Sequence, residues 1–435
     1  MKSYLEKERT LPVAAEVDVL VVGGGPAGIG AALGAARNGA KTMLIETSNC
    51  LGGMATAGMM SHWSGGTESP LLEEIFARIK TSPLLPPQTD DRAGNWANAH
   101  EAQKTALQEL LLEAGVVLQY HTFAAGAAVE NNCVKGVITE SKSGREIILA
   151  RTVIDATGDG DVAAAAGAEF SLGRENDHVC QPVTLMFRIG GVDCERAAFP
   201  GSFETKIDLP KGEIQSLGRQ HLPFPAGHVL LYRAPLPNEV CVNMTNVIGI
   251  DGTSVRDLTR AELVCREQMK AIIAFLREFV PGYEQCYAVA SASNVGVRET
   301  RHFKALYQLT ESDIVEARLF EDWIATRNHF NFDIHSLKGP GLDENGAQHH
   351  FLSKGKYSIP FRSCIPEKID GLLLSGRNIC GTHKAHSNFR VMPICLNIGQ
   401  GVGTAAALAA LHHISARKVN AREIQLHLEA VGIRP

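Results

Sequence analysis

The stretch GTHKAHSNFRVMP, Gly381 to Pro393, gathers side chains that can move protons or hold charge. His383 and His386 stand three residues apart, Lys384 lies between them, and Arg390 follows. No carboxylate interrupts the run. Histidine titrates near neutral pH, so either ring could take a hydroxyl proton while a hydride leaves carbon. Arg390 could hold an anionic group or stabilise developing negative charge. The histidine spacing also suits a metal ion. The segment has no cysteine or carboxylate to complete a ligand set, however, and no metal site is assigned. The bland alternative is a basic loop whose imidazoles bind water or backbone carbonyls. Lys384 reads as solvated.

Which reading holds depends on what lies against this segment. Near the other end runs VDVLVVGGGPAGIGAALGAARNGAKTMLIE. Val17–Val22 is a continuous apolar run, as a fully buried parallel strand requires. Gly23, Gly25 and Gly28 form G-x-G-x-x-G, with Pro26 and Ala27 inside it. A helix is expected over Ile29–Asn38, with Gly39 at its stop, and a second strand over Lys41–Ile45, ending at Glu46. Gly23 permits the tight turn, Gly25 a close approach of backbone to a pyrophosphate, and Gly28 close helix–strand packing. The helix N-terminus offers free N–H groups to phosphates. Glu46 can accept hydrogen bonds from a ribose. Strand, glycines, helix, second strand and acid occur in that order, which defines a dinucleotide-binding unit.

Three further segments choose the dinucleotide. Gly52 and Gly53 follow Glu46 and lead into Met54, Ala55 and Thr56. RTVIDATGDGDVAAAAG, Arg151–Gly167, carries an apolar strand into Ala156-Thr157-Gly158. GLLLSGRNICG, Gly371–Gly381, carries a later strand into Gly376-Arg377. On these residues the chain resembles the glutathione-reductase-like FAD-binding superfamily. VRETR (Val297–Arg301), LTESD (Leu309–Asp313), DIHS (Asp333–Ser336) and THKAHSNFRVMP are similar to one subgroup of it, the FAD-dependent oxidoreductases. The resemblance implies that Gly52-Gly53 passes along the flavin's phosphates and ribitol, and that the backbone at Phe123 meets adenine. It implies that Ala156-Thr157-Gly158 turns beside the dinucleotide. Arg377 stands where many members have an aspartate on the ribitol. Pro393, Ile394 and Cys395 would open a helix, to about Leu411, aimed at the flavin pyrimidine ring. Such a dipole favours anionic reduced flavin by about 0.3–2 kcal/mol. His62 lacks a context for covalent flavin attachment, so bound, untethered FAD is expected. No second strand-GxGxxG-helix unit occurs, which argues against an NAD(P)H domain.

The expected fold is α/β: a Rossmann-like FAD-binding domain with an inserted α+β substrate domain. The expected division is a first FAD-binding part over 1–178, an inserted substrate or cap domain over 179–355, and a C-terminal return over 356–435. In the middle, Thr259-x-x-Glu262 is a candidate capping box for a helix to about Phe279, and Thr310-x-x-Asp313 for one to about Arg327. Arg298 and Arg301 are candidate anion clamps or structural salt bridges, with Glu299 a possible partner. His335 is a weaker pocket candidate. Thr81–Asn98 reads as a long irregular loop, His349-His350 as loop and His412-His413 as a helix end.

Composition sets the outer limits. The chain has 435 residues, 45% hydrophobic and 20% charged, with net charge −5. No basic block suggests nucleic acid. Ten cysteines without a CxxC, and no apolar leader, suggest a reducing cytoplasm. The uncharged runs Val19–Ala36 and Val391–Ala416 are broken by glycines and prolines and read as buried turn-helix pieces, not membrane spans. The expected function is hydride transfer between FAD and a small polar, perhaps anionic, substrate. The alternative is a lyase, hydratase or isomerase that uses FAD structurally. Electron acceptor and self-association stay open.

Overall fold

The computed structural model describes residues 4–86, 99–347 and 351–435. Part of the Thr81–Asn98 loop and the His349-His350 pair lie outside them.

Strands Val117–Gln119, Thr42–Ile45, Val13–Val22 and Gly144–Asp155 lie side by side in that order, all parallel. Gly144–Asp155 then forks. Its first half pairs antiparallel with Cys133–Ser141, which pairs with Phe123–Glu130. Its last residues pair in parallel with Leu372–Leu374, Leu372 opposite Val153 and Leu374 opposite Asp155. That pairing returns the C-terminal segment to the N-terminal sheet. Val19, Leu20, Val21, Val153, Ile154, Leu373 and Leu374 are fully buried, so these strands read as unbroken apolar runs. Parallel order also places the ends of the three strands at Val22, Asp155 and Leu374 on one edge, where ligands of open α/β sheets bind.

Two helices cross against this sheet, Pro26–Arg37 and Met392–Leu411. Glycines on both make the crossing close. A Cβ added to Gly30 would stand 2.2 Å from the Leu396 carbonyl, and one on Gly403 would stand 2.0 Å from that of Ala31. Gly399 meets the Ala27 carbonyl in the same way. These glycines serve backbone-to-backbone packing. Among the described residues, only Met392–Leu411 is long and apolar enough to cross a membrane, and 94% of its apolar window is buried inside the protein.

The middle of the chain builds an antiparallel sheet, in the order Leu231–Arg233, Val240–Val242, Phe187–Gly190, Tyr287–Ser291. Helix Val255–Phe279 covers it through Ile272, Phe275 and Leu276. This helix starts before Thr259. Ser254 is the cap, its hydroxyl accepting from the Asp257 N–H, while the Thr259 hydroxyl turns back onto the Val255 carbonyl. Glu262 instead accepts from the Val295 N–H at 2.7 Å. The Thr310–Asp313 capping box forms, but its helix is only Glu311–Val315. Ala317 then turns left-handed, and Trp323–Asn328 is a strand paired with Tyr357–Pro360. The expected helix to Arg327 is lost because Trp323, Ile324 and Ala325 bury themselves in the main core, with Gly401 against the Ile324 carbonyl.

Candidate functional site

The glycine turn is built from backbone. Gly23 has φ +103°, and a Cβ there would meet the Ala156 carbonyl at 2.5 Å. A Cβ on Gly28 would stand 1.8 Å from the Gly23 carbonyl, whereas one on Gly25 would meet nothing within 4 Å. The turn is therefore closed toward the sheet and open on the far side. Pro26 and Ala27 start the helix there; Pro26 sits in its first turn, where its missing N–H costs nothing. Glu46 is fixed beside it, accepting from Gly24 N–H at 2.6 Å and Ser48 N–H at 2.8 Å.

The other expected segments gather on this edge. The Gly52 N–H donates to the Gly24 carbonyl at 2.8 Å, and a Cβ on Gly53 would reach 3.0 Å from the Gly25 Cα. Met54 and Ala55 continue in a short 3-10 turn, and the Thr56 hydroxyl closes it on the Leu51 carbonyl. The Thr122 N–H donates to the Glu46 carbonyl, which places the Phe123 backbone next to the acid while the Phe123 ring is 57% exposed. Asp155 shapes the Ala156-Thr157-Gly158 turn by accepting from Thr157 N–H, Thr157 Oγ1 and Ala163 N–H. Burial pushes its carboxyl up to about 6. Gly376 packs on Ala27, and Arg377 reaches over Gly158 to Asp159 at 2.8 Å. Pro393, Ile394 and Cys395 form the first turn of the long helix, and burial pushes the Cys395 thiol up to about 12.

The segment from Gly381 is not a loop. Thr382 caps a short helix, His383–Phe389, its hydroxyl accepting from the Ala385 N–H at 3.2 Å. One turn apart, His383 and His386 are both buried, at 9% and 1% exposed. The solvated-loop alternative is thereby removed. His383 Nδ1 lies 2.6 Å from Glu299 Oε1, and His302 Nε2 lies 2.8 Å from the same oxygen. The second Glu299 oxygen accepts from the Gln181 N–H at 3.0 Å. Burial pushes the Glu299 carboxyl up, but the hydrogen bonds from His302 and His383 outweigh it and hold it well below the carboxylate range. His386 sits edge-on to His302, ring centroids 4.9 Å apart. Burial, then His302, depresses its pKa far below that of a free imidazole. Lys384 is not simply solvated, since its ammonium lies 5.0 Å from the Phe332 ring centre.

Glu299 does not pair with either neighbouring arginine, as the sequence allowed. Arg301 binds Asp161 at 2.8 Å and the Asp159 carbonyl, so it is structural. Arg298 is half-buried and donates to the Pro182 carbonyl at 2.7 Å and Thr184 Oγ1 at 2.9 Å. Burial, then the charge of Arg390, pulls its pKa down to about 9. Arg390 donates to the Asp333 carbonyl and carboxylate at 2.8 and 2.9 Å. Asp333 also lies 3.4 Å from His335 Nε2, and burial pulls His335 down to about 4. Burial, then His335, pulls His228 down to about 3. Neither ring nitrogen of His228 has a hydrogen-bond partner among the described residues. Phe203 stands edge-on to both imidazoles.

His302, His228 and Asp333 escaped the sequence reading. His302 directly follows VRETR and was within reach as a residue at helix-like or turn-like distance from Glu299; His228 had no local signature. His62 bridges Ser61 and Ser64, each at 2.9 Å, and stacks near Tyr232. His412 pairs with Glu423 at 2.8 Å and His413 lies against Arg151, both at the surface.

Strand, glycine turn, acid, returning strand and helix define a dinucleotide-binding α/β protein of the flavoprotein class. The chain belongs to the FAD dependent oxidoreductase family, whose profile matches residues 18–428. FAD is its cofactor, and the protein is a flavin-dependent enzyme of oxidoreductase type. The edge fits that group: a glycine turn open on one side, a helix N-terminus and a fixed carboxylate stand together. Thiamine thiazole synthase of Aeropyrum pernix is 31% identical over 164 residues, which is 35% of this chain and 58% of that protein. A geranylgeranyl bacteriochlorophyll reductase-like protein from Thermoplasma acidophilum is 17% identical; the match covers 96% of this chain and 83% of that one, with TM-score 0.48. The aromatic hydroxylase CabE from angucycline biosynthesis is 14% identical, covering 95% of this chain and 65% of that one, with TM-score 0.46.

Proposed function

We propose that the protein transfers a hydride between FAD and a small polar, anionic substrate with help from histidine. When bound, FAD supplies a ring that takes up or gives a hydride. Gly23, Gly25, Pro26, Ala27 and Gly28 would cradle the diphosphate, Glu46 the ribose, and the backbone at Phe123 the adenine. Gly52, Gly53, Met54, Ala55 and Thr56 would line the ribitol with Ala156, Thr157, Gly158, Gly376 and Arg377. Pro393, Ile394 and Cys395 would face the pyrimidine ring. With His62 already tied to two serines, FAD is held without a covalent bond.

One observation carries the reading: the buried helix His383–Phe389, with His383 and His386 on it and Arg390 at its end, runs directly into the helix turn at Pro393. Arg298 and Arg390 would hold the substrate anion. His383 is positioned through Nδ1 by Glu299, and Nε2 has no partner among the described residues, so that nitrogen would pass the substrate proton. His386, buried behind it, would keep the ring in place. Residues 179–355 would form the far wall of the pocket, at a junction of the kind ligands favour.

The test is an anaerobic screen of small organic acids that follows flavin absorbance. A substrate should bleach the flavin in the native protein and do so at least about 100-fold more slowly in His383→Ala. A true substrate that is turned over without bleaching would replace hydride transfer with proton chemistry alone, which the Glu299–histidine group also suits.

A further inference from the structure

We propose that Glu299, His302 and His386 form a binding site for a divalent transition-metal ion. The proposal goes beyond hydride transfer and does not depend on it. One ligand atom from each residue lies within 4.8 Å of the others, and all three residues are buried. The sequence assigned no metal because the His383–Arg390 segment has no carboxylate. The fold supplies one from the irregular segment just before strand Arg301–Phe303, together with a further imidazole, His302, on that strand.

The first argument concerns hydrogens. His302 Nδ1 lies 3.1 Å from the Gly381 carbonyl oxygen, and Nε2 lies 2.8 Å from Glu299 Oε1. Both neighbours are acceptors. A neutral imidazole has one N–H and cannot donate to both. Unless Glu299 itself carries a proton, either His302 carries two protons or a cation takes up its Nε2 lone pair. The second argument is independent. His386 Nδ1 is buried and has no hydrogen-bond partner among the described residues, a condition that burial makes unfavourable. A ring so placed beside a carboxylate and a second imidazole is short of a partner.

The surroundings have the form of an outer ligand shell. Metal-ligating histidines typically donate their other N–H to a backbone carbonyl, as His302 does to Gly381, and ligating carboxylates are themselves hydrogen-bonded. Glu299 accepts from Gln181 N–H through one oxygen and from His383 Nδ1 through the other. His383 is thus an outer donor to the carboxylate, not a ligand. Two imidazoles and one carboxylate suit zinc or ferrous iron, whereas calcium and magnesium prefer all-oxygen shells.

The test uses the full chain with its FAD. Metal content is measured on protein as purified. A chelator-treated sample is then titrated with Co²⁺, followed by its visible absorbance, and the bound Co²⁺ is displaced with Zn²⁺. The expected result is about one ion per chain and a cobalt spectrum of nitrogen and oxygen ligands. Glu299→Gln and His386→Gln should each weaken the metal by about 10–100-fold or more while retaining FAD. Retained flavin shows that a variant is folded. Metal-free protein whose cobalt spectrum is absent, or unchanged in both folded variants, overturns the proposal; the Glu299–His302 contact is then a carboxylate–imidazolium pair. Metal bound as expected with no acid ever bleaching the flavin would leave the site standing and remove only the hydride reading.

Discussion

The glycine-turn edge and the histidine–arginine cluster adjoin one another but are made in opposite ways. At the edge, backbone atoms form the surface, and the side chains that matter are mostly missing: Gly23, Gly25 and Gly28 work by having no Cβ. Its two carboxylates are satisfied locally, Glu46 by Gly24 and Ser48, Asp155 by Thr157 and Ala163. In the cluster, side chains from distant segments form the surface, and several buried atoms lack hydrogen-bond partners among the described residues, including His386 Nδ1 and Arg390 Nε. A backbone-made site is complete as folded.

This contrast can be broken first at its strongest point. Gly28→Val places carbon where the Gly23 carbonyl stands, so the turn must open. We expect loss of about 3 kcal/mol or more of stability and purification without flavin, read by chemical unfolding and by absorbance. Next is Glu299→Ala, which strands His302 and His383 in a buried site; the expected loss is about 3 kcal/mol, with FAD affinity changed much less. Equal loss of flavin in both variants would erase the distinction between the regions.

A pH series sharpens it, because the two regions tilt stability in opposite directions. Asp155 is raised to about 6, so the folded state holds its proton more tightly than the unfolded chain. Its stabilising contribution is full below the unfolded pKa near 4 and is lost as pH rises through 6, about 3 kcal/mol in all. Asp155→Asn should flatten that interval. His335 is depressed to about 4, so the unfolded chain binds its proton first. Its contribution is full above about 6.5 and is lost as pH falls toward 4, again about 3 kcal/mol. His335→Gln should reduce the acid-side loss. Both are read from urea unfolding between pH 4 and 7. The smallest effect belongs to Glu46→Gln, which keeps the shape but leaves one acceptor oxygen for the two N–H groups of Gly24 and Ser48. FAD should bind about 5–10-fold more weakly by fluorescence titration.

The same contrast explains what the sequence disclosed. Backbone sites need glycines at fixed spacing between a strand and a helix, so the order of elements from Gly23 to Glu46 was legible, although the helix runs Pro26–Arg37 and not Ile29–Asn38 because Pro26 opens it. The returning strand at Leu372–Leu374 was legible too. The cluster obeys no local spacing. His383 and His386 were visible because one helical turn joins them, but Glu299 and His302 reach them, and Asp333 reaches Arg390, only through tertiary folding. Local signals also misplaced two helices. Thr259-x-x-Glu262 satisfies a cap pattern inside a helix that Ser254 already caps. Past Val315, the apolar residues of LFEDWIATRN keep a spacing a helix would tolerate, yet pairing with Tyr357–Pro360 and burial against the long helix make them a strand.

A crystal structure with FAD bound tests the central claim most directly, that the histidine segment stands against the reacting ring. The account predicts His383 Nε2 or the Arg390 guanidinium within about 4 Å of the isoalloxazine or of a substrate analogue stacked on it. An isoalloxazine bound elsewhere, with bulk solvent between it and both side chains, would contradict the account.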